Sequence, residues 1–262
     1  MDESLLEAFQ DCAEDPAADE VRMAILVART LDPAVRGDRV EARLGALAAL
    51  GTPGQAPWEL LREQGFAGNL QNYSALENSN IAWVLEHRRG IPISLAVVLI
   101  RLARQAGHSA TGMNYPGHFL VQIDEVIVDP FVLQPVTRQQ LLEQLPDDVR
   151  ARPASQLFAP ASTVAVGLRM LNNVKLAHLN AAAWHRALEA VDAQLRLAPR
   201  HSSLHLERGD LWRRMGLIQP ARVAYAEALA LADELPPAAA EEVRRAVQAR
   251  LDDLGGASDI VH

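Results

Sequence analysis

Two neighbouring stretches decide how this chain folds: Gly90–Gly107, GIPISLAVVLIRLARQAG, and Pro116–Phe131, PGHFLVQIDEVIVDPF. The first carries Leu95, Val97, Leu99, Ile100, Leu102 and Ala103, apolar on nearly every side, and predicts a largely buried helix. Pro92 suits its first turn, where a missing N–H costs nothing, and Gly107 is a good C-terminal stop. Its polar residues Ser94, Arg101 and Gln105 fall within about 40° of one line, at ~100° per residue, and make the expected solvent stripe. The second stretch alternates and predicts two short strands over roughly 118–131. With Asp124-Glu125 as the turn, Ile123 faces Val126 and Leu120 faces Asp129. One face then carries Phe119, Val121, Ile123, Val126 and Val128, and the other His118, Leu120, Gln122, Ile127, Asp129 and Phe131. His118 and Asp129 become diagonal neighbours within side-chain reach. In that place a carboxylate can fix an imidazole tautomer, as the acid of a catalytic triad does. Asp-Glu is not a favoured two-residue turn and a slip of one residue parts the pair, so a plain structural hydrogen bond stays open as the other reading.

Outward from this centre the chain reads as helices. Over residues 1–50, Leu5, Leu6 and Phe9, then Val21, Ile25 and Leu26, then Val40, Leu44 and Leu47 recur at helical spacing, with LDPAVRGD and GTPGQAP as turns between and after them. Asn78, Ser79 and Asn80 are placed to cap a helix leading to Glu86. LPDDVRARPASQLFAP, with its three prolines, reads as a connection to a second unit. In that unit Ala187, Val191, Gln194 and Leu195 recur 34 positions later as Ala221, Tyr225, Ala228 and Leu229, the tetratricopeptide period. Gly209 holds the small position of one repeat and Lys175 the equivalent place of the other. Val243, Val247, Leu251 and Leu254 share one face of a last helix that would cap the stack.

Composition bounds the function. The 262 residues are 49% hydrophobic and 22% charged, with a net charge of -8, which argues against a nucleic-acid binder because phosphate needs a basic face. The single cysteine, Cys12, excludes an internal disulfide and reads as a small buried hydrophobe. No basic-then-apolar leader opens the sequence, and the apolar run Ile91–Ile100 is far short of a membrane span. The expectation is a cytoplasmic protein without membrane contact. His118 and Asp129 supply only two plausible metal ligands, with His87 and His108 unplaced, so neither metal nor cofactor is expected. Oligomeric state is not legible.

ENSNIAWVLEHRRGIPISL, YPGHFLVQI and VDPF together resemble the transglutaminase-like, tetratricopeptide-containing proteins of the SirB type. The resemblance is close over Asn78–Phe131 and looser on either side. It implies a core similar to the transglutaminase and papain-like cysteine hydrolase fold, in which a cysteine begins a buried helix and histidine and aspartate follow on strands. Laid over that order, Pro92 stands at the thiol position and His118 and Asp129 match the other two members. The SirB-type proteins themselves share Gly-Ile-Pro here, so the departure belongs to the group.

The fold expected is mainly α with a small antiparallel sheet (α+β). A helical region over 1–57 would pack on a transglutaminase-like core over 58–160, followed by tetratricopeptide-like helices with a capping helix over 165–255 and a flexible tail over 256–262. Acyl transfer needs a thiolate beside an imidazole, and proline has neither a nucleophilic atom nor a proton to give up. The expected function is therefore a non-catalytic interaction or regulatory protein, binding a protein or peptide partner through 165–255. The alternative is a hydrolase or acyl-transfer enzyme in which His118 and Asp129 work with water or an unconventional nucleophile. Ser94, two residues on and about 200° round the helix from Pro92, is a poor substitute. Arg88 and Arg89, just before the buried helix, are candidates to bind an anion; a solvated helix end is the other reading.

Overall fold

Three helices open the chain: α1 (Glu3–Glu14), α2 (Glu20–Leu31) and α3 (Gly37–Ala48). A short helix α4 (Pro57–Glu63), a two-residue strand β1 (Ala67–Gly68), a 3-10 turn (Leu76–Ser79) and α5 (Ile81–His87) follow, then β2 (Arg89–Gly90), which pairs in parallel with β1. The structure is a computed structural model that describes residues 1–256, so the tail expected from 256 on lies, past Gly256, outside the described residues. Contacts gather the chain into two compact units, Ala8–Asn173 and Met1–Glu7 with the residues from Val174 on.

The first unit is built around α6 (Pro92–Gln105). Every residue from Gly90 to Ile100 is buried. Fourteen residues are too many for a core strand, and the bounds are those the punctuation requires: Pro92 at the first turn and Gly107 just past the end, at φ +89°. α2 and α3 cover one side of α6, and its other side lies on a four-stranded antiparallel sheet. That sheet has the order β3 (Ala110–Tyr115), β4 (His118–Ile123), β5 (Val126–Asp129), β6 (Gln134–Val136). Glu20, buried at the start of α2, receives a forked pair of bonds from Arg104 (2.7 and 3.0 Å). Because both charges are largely satisfied, this ion pair fixes where α2 meets α6.

Within the sheet the expected register holds, with Ile123 opposite Val126 and Val121 opposite Val128. Phe119, Val121, Ile123 and Val128 are buried, while Val126, at the turn, is 36% exposed. The opposite face is covered too. Leu120 and Ile127 pack with Met113, Tyr115, Leu157 and Phe158. This is where the proline-rich stretch goes: it forms α8 (Asp147–Arg150) and α9 (Ala154–Leu157) after α7 (Arg138–Glu143). Leu145, Leu157 and Phe158 make it part of the core rather than a bare connection, because burying three large apolar groups outweighs leaving the segment in solvent. Ser94 differs from expectation as well. It is fully buried, its hydroxyl accepting from the Ile91 N–H and donating to the Ile91 carbonyl (3.1 Å each), so the polar stripe of α6 begins at Arg101.

α10 (Thr163–Asn180) belongs to the first unit as far as Asn173 and to the second from Val174, and in the second unit α11 (Trp184–Leu197), α12 (Ser202–Arg214), α13 (Ile218–Ala232) and α14 (Pro237–Gly256) follow one another. α10 and α12 end at Asn180 and Arg214, and α11 and α13 begin at Trp184 and Ile218, so both boundaries recur after 34 residues. α12 packs on α11 and α13, and α13 on α14. The Tyr225 ring lies where a Cβ on Gly209 would be, 2.3 Å away, so glycine is the residue that lets α12 and α13 meet. Its hydroxyl donates to Asp210 (2.9 Å), which Arg250 also grips in bidentate fashion. Burial first, and the Asp210 carboxylate second, push the Tyr225 phenol up to about 12. Among the described residues no helix is long and apolar enough to cross a membrane.

Candidate functional site

His118 owes its place to a turn. Tyr115 pairs with His118, and between them Pro116 and Gly117 (φ +72°) occupy the two central positions, as a type II turn prefers. His118 is therefore the first residue of β4, and Asp129, at the end of β5, is its diagonal neighbour. Nε2 of His118 lies 3.0 Å from Oδ1 of Asp129, with the two side chains 29% and 20% exposed. Nε2 nevertheless has no aligned hydrogen-bond partner. The approach is that of an ion pair, while the N–H direction misses the oxygen. Oδ1 instead accepts a well-formed bond from the Phe131 N–H at 2.8 Å. Burial pushes the Asp129 carboxyl up, but His118 and the amides of Phe131 and Val132 more than offset it and hold the group below its ordinary value. Nδ1 of His118 has no partner among the described residues.

A run of backbone bonds leads from this pair to the start of α6. The Phe131 carbonyl accepts from Gly68 N–H (3.0 Å), and the Gly90 carbonyl accepts from Asn69 N–H (2.8 Å). The Phe131 ring lies over Gly68, where a Cβ would sit 2.3 Å from it. A Cβ on Gly90 would meet the Ser94 hydroxyl at 2.7 Å. Pro92 follows, buried at the first helical position. Ser94, the one hydroxyl-bearing residue of α6 in sequence, is already bonded to both polar groups of the Ile91 backbone. Cys12 is 1% exposed in α1, and burial pushes its thiol up, which disfavours the thiolate.

The remaining sequence candidates lie elsewhere. Arg88, in the left-handed region at φ 57°, donates to the Gln64 carbonyl, and Arg89 donates to the Gly65 carbonyl, both at 2.7 Å. Both side chains thus tie the end of α4 to the α5–β2 junction. His87 stacks on Trp83, ring centroids 4.3 Å apart. His108 contacts Asp124 (2.7 Å) at the far end of the hairpin. Among the described residues no three or more His, Cys, Asp or Glu gather as a metal site would require.

The loop over 67–79 was not singled out from the sequence, yet it walls the site. Asn78 is fully buried, donates to the carbonyls of Asn72 and Tyr73 (2.7 and 2.9 Å) and accepts from Asn69 (2.9 Å). It clamps the loop instead of capping α5, a role that falls to Asn80 through the Ala82 and Trp83 N–H groups. The clamp sets Tyr73 edge-on to Phe131, centroids 5.8 Å apart. The run ENSN hinted at polar anchoring; that one asparagine would fold inward needed the loop path.

Residues 57–172 match the transglutaminase-like superfamily. A UPF0162 protein of Xylella fastidiosa (strain 9a5c) is 33% identical over 170 residues, 60% of this chain and 59% of that one. The chain thus spans about three fifths of the length of that relative. A UPF0162 protein of Pseudomonas aeruginosa is 30% identical over 217 residues, 79% of this chain and 77% of that one. Among solved structures, that of menin matches with a TM-score of 0.45 at 11% identity, covering 93% of this chain and 73% of that one, too slight a likeness to carry more. The match to the Pseudomonas protein over most of both chains, with a transglutaminase-like region at its centre, means that this chain belongs to the UPF0162 family.

Proposed function

We propose that this chain is a non-catalytic interaction protein of regulatory kind, built on a transglutaminase-like scaffold that has no nucleophile. One observation carries the reading: Pro92 occupies the buried first position of α6, and the Ser94 hydroxyl is committed to the Ile91 backbone. The His118–Asp129 pair remains without a thiol to activate. Partner binding falls to the helices over 165–255, read as tetratricopeptide repeats with a capping helix. The 34-residue recurrence of helix boundaries and the Gly209–Tyr225 contact support that assignment. Exposed apolar side chains there, Leu217 at 45% and Val223 at 58%, offer contact surface.

A second reading is a hydrolase in which His118 takes a proton from water while Asp129 orients the ring. It rests on the unpartnered Nδ1 and the partial exposure of the pair. Assays of the full chain against activated esters and unstrained amides separate the two. Hydrolysis no faster than buffer supports the scaffold reading; turnover abolished by His118→Ala replaces it with the hydrolase. Affinity capture from native extract, with wild type and Leu217→Asp/Val223→Asp side by side, tests the helical surface. Loss of a captured protein in the variant supports it, and an unchanged set removes it.

A further inference from the structure

Arg88 and Arg89 are exposed, and among the described residues neither is paired with a carboxylate. Both are moored to the backbone instead. Nη1 of Arg88 donates to the Gln64 carbonyl and Nη1 of Arg89 to the next one, that of Gly65, both at 2.7 Å; Nη1 of Arg89 also reaches the Arg88 carbonyl at 2.9 Å. Two guanidinium groups are thus fixed on successive peptide units. Carbonyls set their position without neutralising them, and arginine does not give up its proton. Of the five N–H donors that each group carries, these bonds leave four on Arg88 and three on Arg89. Other arginines of the unit have found acids: Arg36 has Asp38, Arg101 has Asp19 and Glu41, and Arg104 has Glu20.

Arg88 closes α5 in the left-handed region, at φ 57°, where glycine would sit without strain. The titratable groups of the adjoining elements are engaged elsewhere. Glu63 accepts from Gln55 (2.7 Å), Glu86 faces Arg43 (3.4 Å), and Nδ1 of His87 faces the Trp83 carbonyl (3.1 Å). Arg62, two residues before Gln64, is exposed and likewise has no carboxylate partner among the described residues. Two placed forks with donors unspent match a doubly charged anion whose oxygens are arranged as a tetrahedron, because each fork can grip two of them. A carboxylate, with one charge and two oxygens, would satisfy one arginine and leave the other.

We propose that Arg88 and Arg89 bind the dianion of a phosphate monoester, carried by a small molecule or by a phosphorylated side chain. The site uses neither His118 nor the helices over 165–255, and binding makes and breaks no covalent bond.

Nuclear magnetic resonance of the full-length protein tests it, following the arginine Nε–H resonances during titration with phenyl phosphate. At about pH 7.5, where the ester is a dianion, those of Arg88 and Arg89 should shift saturably while that of Arg36, paired with Asp38, stays in place. At about pH 5 the ester is a monoanion, and affinity should fall at least about fivefold. General attraction would do the reverse, because an acidic chain loses negative charge as pH falls. Arg88→Gly, which suits the backbone there, should weaken binding about fivefold, and Arg89→Lys, which keeps the charge without the fork, by a smaller factor. Acetyl-glycyl-phosphoseryl-glycinamide identifies the source: tighter binding than phenyl phosphate assigns a phosphorylated side chain, and equal or weaker binding a small molecule. No saturable shift up to the solubility of the ester, or an affinity that rises at the lower pH, overturns the proposal on the wild type alone. So does an Arg88→Gly protein, folded by circular dichroism, that binds the ester as wild type does. Acetate binding more tightly than the ester would overturn the phosphate assignment in favour of a carboxylate.

Discussion

The β4–β5 hairpin carries a histidine–aspartate pair at each end, and the two pairs do different work. At the turn, Nδ1 of His108 meets Oδ2 of Asp124 at 2.7 Å, and the same carboxylate accepts the Ser109 N–H at 3.0 Å. These bonds hold Asp124 in the left-handed region at φ 47°, so that Asp-Glu can serve as a two-residue turn. At the open end, His118 and Asp129 are more buried and less completely bonded: a 3.0 Å approach without alignment, a carboxylate shared with the Phe131 N–H, and a ring nitrogen left over. The His108–Asp124 pair, with an aligned contact and a second bond from Ser109, is holding a turn. The other pair has capacity to spare and is joined through Phe131 and Gly68 to the start of α6, as the proposed scaffold reading requires.

The largest expected effect is that of Asp129→Ala. It leaves the Phe131 and Val132 N–H groups and the His118 ring without their acceptor, and chemical denaturation should record a loss of ~2–3 kcal/mol. Gly68→Ala should cost about 1–3 kcal/mol by driving the Phe131 ring from its seat. It should also shift the His118 imidazole resonances while leaving those of His108 in place; equal shifts in both would dissolve the distinction between the pairs. Asp124→Ala should destabilise less than either, because its side chain is exposed. A larger loss there than at Asp129 would reverse the comparison.

The smallest effect is in acid. The folded-state pKa of Asp129 is depressed, so its stabilisation is fully present above the ordinary carboxyl value of 3.8 and is lost as pH falls below 3.8 through the lower folded value. Asp129→Asn should flatten that part of a stability-against-pH curve. An unchanged acid limb would mean that the contact with His118 and the two amides contributes nothing.

The hairpin register was legible because the apolar residues alternate on both sides of Asp124-Glu125, although that pair is not a favoured turn, and the buried helix because its apolar residues outnumber any strand. β3 was not. ATGMNY carries a glycine and an asparagine that signal a turn, yet Gly112 is there because the Phe119 ring on the next strand needs the space: a Cβ would come within 2.6 Å of it. That is a requirement of pairing, invisible along one strand. Ser94 was misread for a related reason. A helical wheel places it with Arg101 and Gln105, but an N-terminal turn can satisfy a hydroxyl with its own backbone, and Gly90 makes room for it.

The central claim is that no atom at the start of α6 can attack a carbonyl. The most direct measurement is intact-mass spectrometry of the full chain after exposure to an activated acyl ester, for wild type and His118→Ala together. The mass should be the same before and after in both proteins. A stoichiometric acyl adduct on the wild type that disappears in His118→Ala would contradict it.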